Sequence, residues 1–260
     1  MSVIKSASLI FLILSTAIFL VGFTHYSNTV DLSEDLVLHY EFTGSYEDGD
    51  RIEDLSPAAS NATFVGEKPN QTNRSPGSLS FSEESGYIHV QLDNELSGDF
   101  TLTTTVQNKY HKYYAGIIAG KSWQLVAPYG KYEFSAGDTT LQYDVDNHGA
   151  WHHLAVVHRD GTTRLYVDGE LVESKSGGSI PTEDTLFIGQ RPGGYPYQGQ
   201  IGEITLHERA LTTEEIRGMY TDQQTIRPII YSDAFRTGTV LVLLSLVVFL
   251  AQLESRIRSP

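Results

Sequence analysis

The sequence predicts an all-β domain carried between two apolar helices, and three observations predict it. Across residues 36–207 the apolar residues recur with a period close to two, in short runs separated by Gly, Asn, Asp or Pro. Two Asp-Gly pairs, Asp160-Gly161 and Asp168-Gly169, sit between such runs and signal tight hairpins. Two charge-free apolar stretches, residues 7–23 and 237–253, stand outside this pattern. Many short strands at close spacing make a β-sandwich or a barrel.

The first apolar stretch, "ASLIFLILSTAIFLVGF", follows Lys5 and is followed in turn by Asp31, Glu34 and Asp35. The second, "TGTVLVLLSLVVFLAQL", is followed by Arg256 and Arg258. Both are near the lower limit of about 17 residues for a helix that crosses a bilayer. Neither has the amphipathic stripe of a core helix. The positive-inside rule then places both termini in the cytoplasm and the middle of the chain outside, with Arg236 as the dissenting charge. A cleaved signal peptide is the competing reading of the first stretch. Its apolar run exceeds the usual h-region and no clean A-x-A site follows, which favours an uncleaved anchor. The expected organisation is an anchor over 1–30, an exterior domain over 31–222 and a linker over 223–236. A second span over 237–253 and a basic cytoplasmic tail over 254–260 complete it.

In the exterior domain, "LVLHYEF" puts Leu36, Leu38, Tyr40 and Phe42 on one face and Val37, His39 and Glu41 on the other. "FTLTTTV" does the same for Phe100, Leu102, Thr104 and Val106. Further strands are expected over residues 87–90, 116–119, 123–127, 132–135, 141–145, 151–158, 163–167, 185–189 and 201–207. Asp and Gly tolerate the positive φ that both central residues of a type I′ turn require. Residues 152–158, 163–167 and 171–174 are therefore expected to form a three-strand meander, with Asp168 at a turn tip in solvent. One exterior stretch, "LTTEEIRGMY", reads as a helix: Thr212 is its N-cap and Glu215 completes a capping box. It is expected to end near Tyr220.

Composition removes several function classes. The chain has 260 residues, with 32 acidic against 18 basic side chains and a net charge of −14. Nucleic acid is excluded as a partner, because binding it needs a cationic surface that releases counterions. A polybasic lipid-headgroup mode is excluded for the exterior domain on the same ground. With no cysteine there is no disulfide, thiolate metal site or thiol nucleophile. An acidic, cysteine-free exterior domain suits an archaeal or bacterial surface, a haloarchaeal one included, where salt screens self-repulsion.

The run "GAWHHLAVVHRDGTTRLYVDGELVES", followed by "DTLFIGQRPGGYPYQGQIGEITLHERALTTEEIRGMY", resembles the second half of a LamG-like (laminin G/concanavalin A-like) jelly roll. "LVLHYEFTGS" and "IEDLSPAASNATFVG" resemble its opening strand and first corner, so the resemblance spans residues 36–220. It implies a two-sheet antiparallel sandwich of about six or seven strands per sheet. It implies little about activity, because this fold hosts lectins, glycosidases, adhesins and spacers alike.

Glycosidases of this fold carry a Glu-x-Asp-x-(x)-Glu strand, whose carboxylates act as nucleophile and acid. "EITLHE" has the outer acids, Glu203 and Glu208, but Thr205 between them. The chain is therefore expected not to be an enzyme. Relatives also hold Ca²⁺ at the sandwich edge, with an Asp where Gly202 stands here. Glu41 and Glu203 remain as expected calcium ligands, with Asp48 or Asp54 beside them. His152 and His153 are adjacent in a strand and point to opposite faces, which reads as structure rather than a metal site.

Glycan binding needs exposed aromatic rings beside polar groups. The loops "NKYHKYYAG" and "PGGYPYQG" offer Tyr110, Tyr113, Tyr114 and Tyr195, with Tyr197 expected to pack beneath the second loop. Asn61, Asn70 and Asn73 lie in N-x-S/T sequons and are expected glycosylation sites. The functional expectation is a membrane-anchored, non-catalytic surface module that binds carbohydrate or a glycosylated partner. The alternative is a structural subunit of a surface complex whose jelly roll makes protein contacts. A glycoside hydrolase comes third.

Overall fold

The two Asp-Gly hairpins lie where the sequence puts them. Asp160 and Gly161 have φ of 48° and 70°, and Asp168 and Gly169 have 53° and 80°, the left-handed pair that closes a type I′ turn. The structure, a computed structural model, describes residues 32–33, 35–72, 77–109, 114–145 and 149–224. The described strands are β1 (Leu36–Tyr40), β2 (Arg51–Ile52), β3 (Ala62–Val65), β4 (Asn70–Thr72), β5 (Ser78–Phe81), β6 (Tyr87–Leu96), β7 (Phe100–Asn108) and β8 (Ala115–Ala119). They continue with β9 (Trp123–Ala127), β10 (Lys131–Ala136), β11 (Thr139–Asp144), β12 (Trp151–Arg159), β13 (Thr162–Val167), β14 (Glu170–Ser176), β15 (Glu183–Ile188) and β16 (Gly199–His207). One described helix follows, α1 (Thr213–Gln224).

Among the described residues the strands form two eight-stranded antiparallel sheets, two more strands in all than the upper end of the expectation. The first has the order β14-β13-β12-β7-β16-β5-β4, with β1 also paired to β16. The second has the order β11-β10-β9-β8-β15-β6-β3-β2. The strands without a sequence counterpart, β2 to β5, have two to four residues each, too few to establish a period of two.

The inner faces interlock as the alternation requires. Leu38, Tyr40, Leu102, Val106, Leu154 and Val156 of the first sheet are fully buried against Leu125, Tyr132, Phe134 and Ile188 of the second. Phe100 stacks on Trp123 across the sandwich at 6.2 Å, and Trp123 meets Phe134 at 5.9 Å. Each such ring contributes about 1.5–3 kcal/mol by leaving water.

The outer face of the first sheet has a smaller apolar cluster. Ala155, Val157 and Tyr166 lie beneath Leu211, Ile216 and Met219. The capping box forms as expected: the Glu215 N–H donates to Thr212 Oγ1 at 3.2 Å, and the Thr212 N–H to Glu215 Oε2 at 2.7 Å. Arg209 grips the same carboxylate with both terminal nitrogens, at 3.1 and 2.8 Å. The helix runs on to Gln224, past the expected end at Tyr220, because no Gly or Pro interrupts residues 221–224.

Leu32–Gln224 form one compact unit. Residues 7–23 and 237–253 lie outside the described residues. Among those described, no helix is long and apolar enough to cross a membrane.

Candidate functional site

The loop from β15 to β16 lies flat on β8. The Gly189 N–H donates to the Ile117 carbonyl, the Tyr197 N–H to the Gly189 carbonyl and the Gly116 N–H to the Tyr195 carbonyl, at 2.8–3.1 Å. This contact needs glycine at position 116, where a Cβ would sit 2.3 Å from the Gln190 carbonyl carbon. The loop sends its two tyrosines in opposite directions. Tyr197 is fully buried beneath it, as expected, and Tyr195 is 49% exposed.

Two further tyrosines extend this surface. Tyr129, between β9 and β10, is 62% exposed, and its ring meets Tyr114 edge-on at 6.4 Å. Tyr114 precedes β8 and is itself exposed, two residues from the Gly116 that anchors Tyr195. Tyr129 and Tyr195 have φ of 43° and 73°, a left-handed backbone that costs a bulky residue energy. Tyr110 and Tyr113 lie outside the described residues. Tyr129 escaped the sequence reading, although "PYG" around it is a turn signature.

Beside the loop runs an open groove of about 340 Å³, lined among others by Lys121, Ser122, Gln124, Ser135 and Arg191. The turn at its end is built on a buried carboxylate: Glu183 Oε2 accepts the Lys121 N–H at 2.6 Å and the Ser122 N–H at 3.0 Å. Lys121 Nζ pairs with Asp184 at 2.9 Å. Gln124 donates to Ser135 Oγ at 3.1 Å. The Arg191 guanidinium carbon stands 4.4 Å above the Tyr195 ring, joining the tyrosine loop to the groove.

A second cluster lies where β1 pairs with β16. A register shift between Ile201 and Ile204 flips the strand's phase, so Ile201 and Ile204 both enter the core while Glu203 turns outward. Glu203 Oε1 then lies 2.9 Å from His39 Nε2, and Glu41 Oε1 lies 3.6 Å from the same nitrogen. The ligand-capable atoms of these three side chains all fall within 4.8 Å of one another. The hydrogen bond from Glu203 raises the His39 pKa, with burial opposing it.

The two glutamates expected to bind calcium are thus brought together, but around an imidazole nitrogen, a poor ligand for a hard cation. Asp54 does not join them. Its carboxylate accepts the His39, Ser56 and Ser60 N–H groups and the Ser56 hydroxyl, at 2.7–2.9 Å. Asp48 is occupied by the Gly66 N–H. His39 was legible in the sequence, on the same face of "LVLHYEF" as Glu41.

Asp168 corrects the expectation of a solvent tip. It is half-buried, accepting the His153 N–H at 2.9 Å and meeting His152 Nδ1 at 2.8 Å. The two histidines diverge as expected: His152 meets Tyr132 of the core edge-on, and His153 meets Tyr220 of α1 on the outer face. At the sequons, Asn61 donates to the Ala59 carbonyl at 2.7 Å, Asn70 opens β4, and Asn73 lies outside the described residues.

Several solved structures share this fold. One is the receptor-binding domain of botulinum neurotoxin C/D mosaic serotype, with a TM-score of 0.64 and 15% identity over 75% of this chain and 52% of that one. Another is the binding domain of botulinum neurotoxin serotype D, with a TM-score of 0.62 and 16% identity over 75% and 54%. A third, the binding domain of botulinum neurotoxin DC in complex with rat synaptotagmin II, gives 0.61 and 12% over 75% and 53%. This chain spans about half the length of those domains, and at such identities the likeness is one of fold. No curated protein sequence matches significantly. The concanavalin A-like lectin/glucanases superfamily matches over residues 83–217, from the turn before β6 into the capping helix. With more than half of its length matched, the chain belongs to the concanavalin A-like lectin/glucanases superfamily.

Proposed function

We propose that the chain is a membrane-anchored surface module that binds carbohydrate, free or on a glycosylated partner, and carries out no catalysis. The observation that carries this reading is Tyr195, an exposed ring held on left-handed backbone beneath Arg191 from the lining of a polar groove. Tyr129 is a second exposed ring on such backbone, paired edge-on with Tyr114. Backbone strain of this kind concentrates where a surface is shaped for a ligand. Stacking against sugar rings uses a flat apolar face, and the groove supplies the hydrogen-bonding groups that hydroxyls require.

The similar botulinum binding domains include one solved in complex with SialylT and one with rat synaptotagmin II. Those ligands belong to those proteins, and sugar and protein partners both occur among them. Anchoring rests on the two charge-free stretches, and their flanking charges support an exterior domain between them.

A glycan array probed with the full chain in detergent tests the reading. Signal on the array, lost in the Tyr129→Ala/Tyr195→Ala double variant, is the expected result. A blank array, or binding unchanged in the double variant, would refute it. The cysteine-free sequence allows single introduced cysteines to report topology by labelling in intact cells. Residues 31–222 should label from outside.

The edge strand β14 favours a second reading, an assembly subunit. Leu171 on it is 48% exposed, and its outer side is unpaired among the described strands. Crosslinking from Leu171→Cys in intact membranes would reveal such a partner.

A further inference from the structure

We propose that the groove beside the tyrosines selects acidic saccharides, and that Arg191 reads the sugar carboxylate. The inference rests on the carbohydrate-binding reading and adds its ligand class. The groove's lining contains two cations, Lys121 and Arg191, and no carboxylate. That is the reverse of the chain as a whole, where acids outnumber bases 32 to 18. Over most of such a surface a ligand carboxylate meets repulsion. Beside the groove Glu183 is buried under the Lys121 and Ser122 N–H groups and Asp184 is paired with Lys121, which leaves Arg191 as the charge that can discriminate.

The two cations are differently placed. Lys121 is paired with Asp184 at 2.9 Å, so its charge is largely matched. Arg191 makes no ion pair among the described residues. Its guanidinium is held against the Tyr195 ring at 4.4 Å, and its backbone carbonyl accepts the Gly194 N–H at 3.1 Å. Stacking orients the planar fork while leaving its N–H edges for a ligand, the arrangement that suits a bidentate carboxylate. Ser122 and Gln124 on the groove wall supply hydroxyl- and amide-type partners for the rest of the ring. Tyr195 then serves twice: one face backs Arg191 and the exposed ring flanks the bound sugar.

The test is an array of uronic- and sialic-acid glycans, each printed beside its carboxyl-reduced counterpart and a sulfated one, probed with full chain in detergent over a concentration series. The wild-type chain is expected to bind the carboxylated member about tenfold or more tighter than the reduced member, the worth of one charge-assisted hydrogen-bonded pair. Arg191→Gln should erase that difference, so that the carboxylated and reduced members bind alike. Arg191→Lys should keep part of it, because a point charge replaces the fork.

Equal binding of acidic and reduced glycans by the wild-type chain would overturn the acidic assignment and leave the carbohydrate reading standing. A preference for sulfated members alone would overturn the carboxylate. Full preference retained in Arg191→Gln would remove Arg191 from the role. No glycan bound at all would overturn both readings.

Discussion

His39 Nε2 and Glu203 Oε1 lie 2.9 Å apart across the β1–β16 pair, with Glu41 3.6 Å from the same nitrogen. The Glu203 bond raises the His39 pKa against the pull of burial, and the charges of Glu203, Glu41 and Asp54 act in the same upward direction. The folded state therefore keeps a proton that the unfolded chain releases near pH 6.5. The resulting stabilisation is fully present below that pH and is lost as pH rises through the raised folded value. Unfolding free energy from urea titration should fall by about 1 kcal/mol between pH 6 and pH 8, the size of one charge-assisted bond at a partly exposed site. His39→Gln should flatten this part of the curve. A wild-type profile already flat there would refute the linkage.

The same geometry sets an expectation for calcium. Ca²⁺ takes six to eight oxygens, and here the two glutamates share their space with an imidazole while Asp54 is saturated by four donors. Millimolar Ca²⁺ at pH 7 should leave the melting temperature unchanged and give no saturable heat. A calorimetric isotherm that disappears in Glu203→Gln would show that the pocket rearranges to accept the ion.

His153 works in the opposite direction. It is buried beneath Tyr220, and neither ring nitrogen has a hydrogen-bond partner. Burial pushes its pKa down to about 4, although Asp168 and Glu203 attract the proton. Between about pH 6.5 and pH 4 the unfolded chain binds a proton that the folded chain refuses, so stability falls with falling pH. The loss approaches about 3 kcal/mol across that window, at 1.36 kcal/mol per pH unit. His153→Leu should make the acid limb of the stability profile shallower. An unchanged acid limb would mean that other groups carry the loss.

Asp168 holds the hairpin that made the family legible. Burial pushes its carboxyl up, but the bonds from His152 and the His153 N–H outweigh this and hold it below the usual carboxylate range. Asp168→Ala should cost about 2 kcal/mol in urea denaturation, from the lost acceptor and from a left-handed φ that Ala adopts reluctantly. Asp168→Asn, which tolerates that φ and keeps an acceptor, should cost less than half as much. Equal losses in the two variants would show that the side-chain bonds contribute little.

The sequence and the structure part company for identifiable reasons. Leu38, Phe100 and Leu154 could be assigned to the core because a period of two with one buried face is a property of the sequence itself. Glu203 could not be assigned its face, because the register shift after Ile201 depends on pairing with β7. The sequence puts its neighbour Glu41 on one face with His39, but only the folded pairing makes that histidine the third member of a cluster. Asp168 was read from its turn alone, and its partners come from β12, sixteen residues upstream in the case of His152. Arg191 carries no signal in the sequence, because its meaning rests on which charges line a groove assembled from three separate segments.

Gly116 tests whether the tyrosine surface depends on how the loop is seated. A Cβ there would stand 2.3 Å from the Gln190 carbonyl carbon and 2.4 Å from the Arg191 nitrogen, both backbone atoms that cannot swing aside. Gly116→Ala must therefore lift the loop from β8 and break the Gly116–Tyr195 hydrogen bond. Tyr197 of the loop belongs to the main core, so the variant should lose some stability, while the rest of that core keeps its cooperative unfolding. The expected outcome is faster amide hydrogen exchange confined to residues 189–197 and a loss of array binding of tenfold or more, with far-ultraviolet circular dichroism unchanged. Tyr129→Ala should lose binding without the exchange signature, because it removes a ring and leaves the loop seated. If Gly116→Ala binds like the wild-type chain while its loop exchanges freely, the seating of Tyr195 and Arg191 on β8 is not what prepares the surface for a ligand.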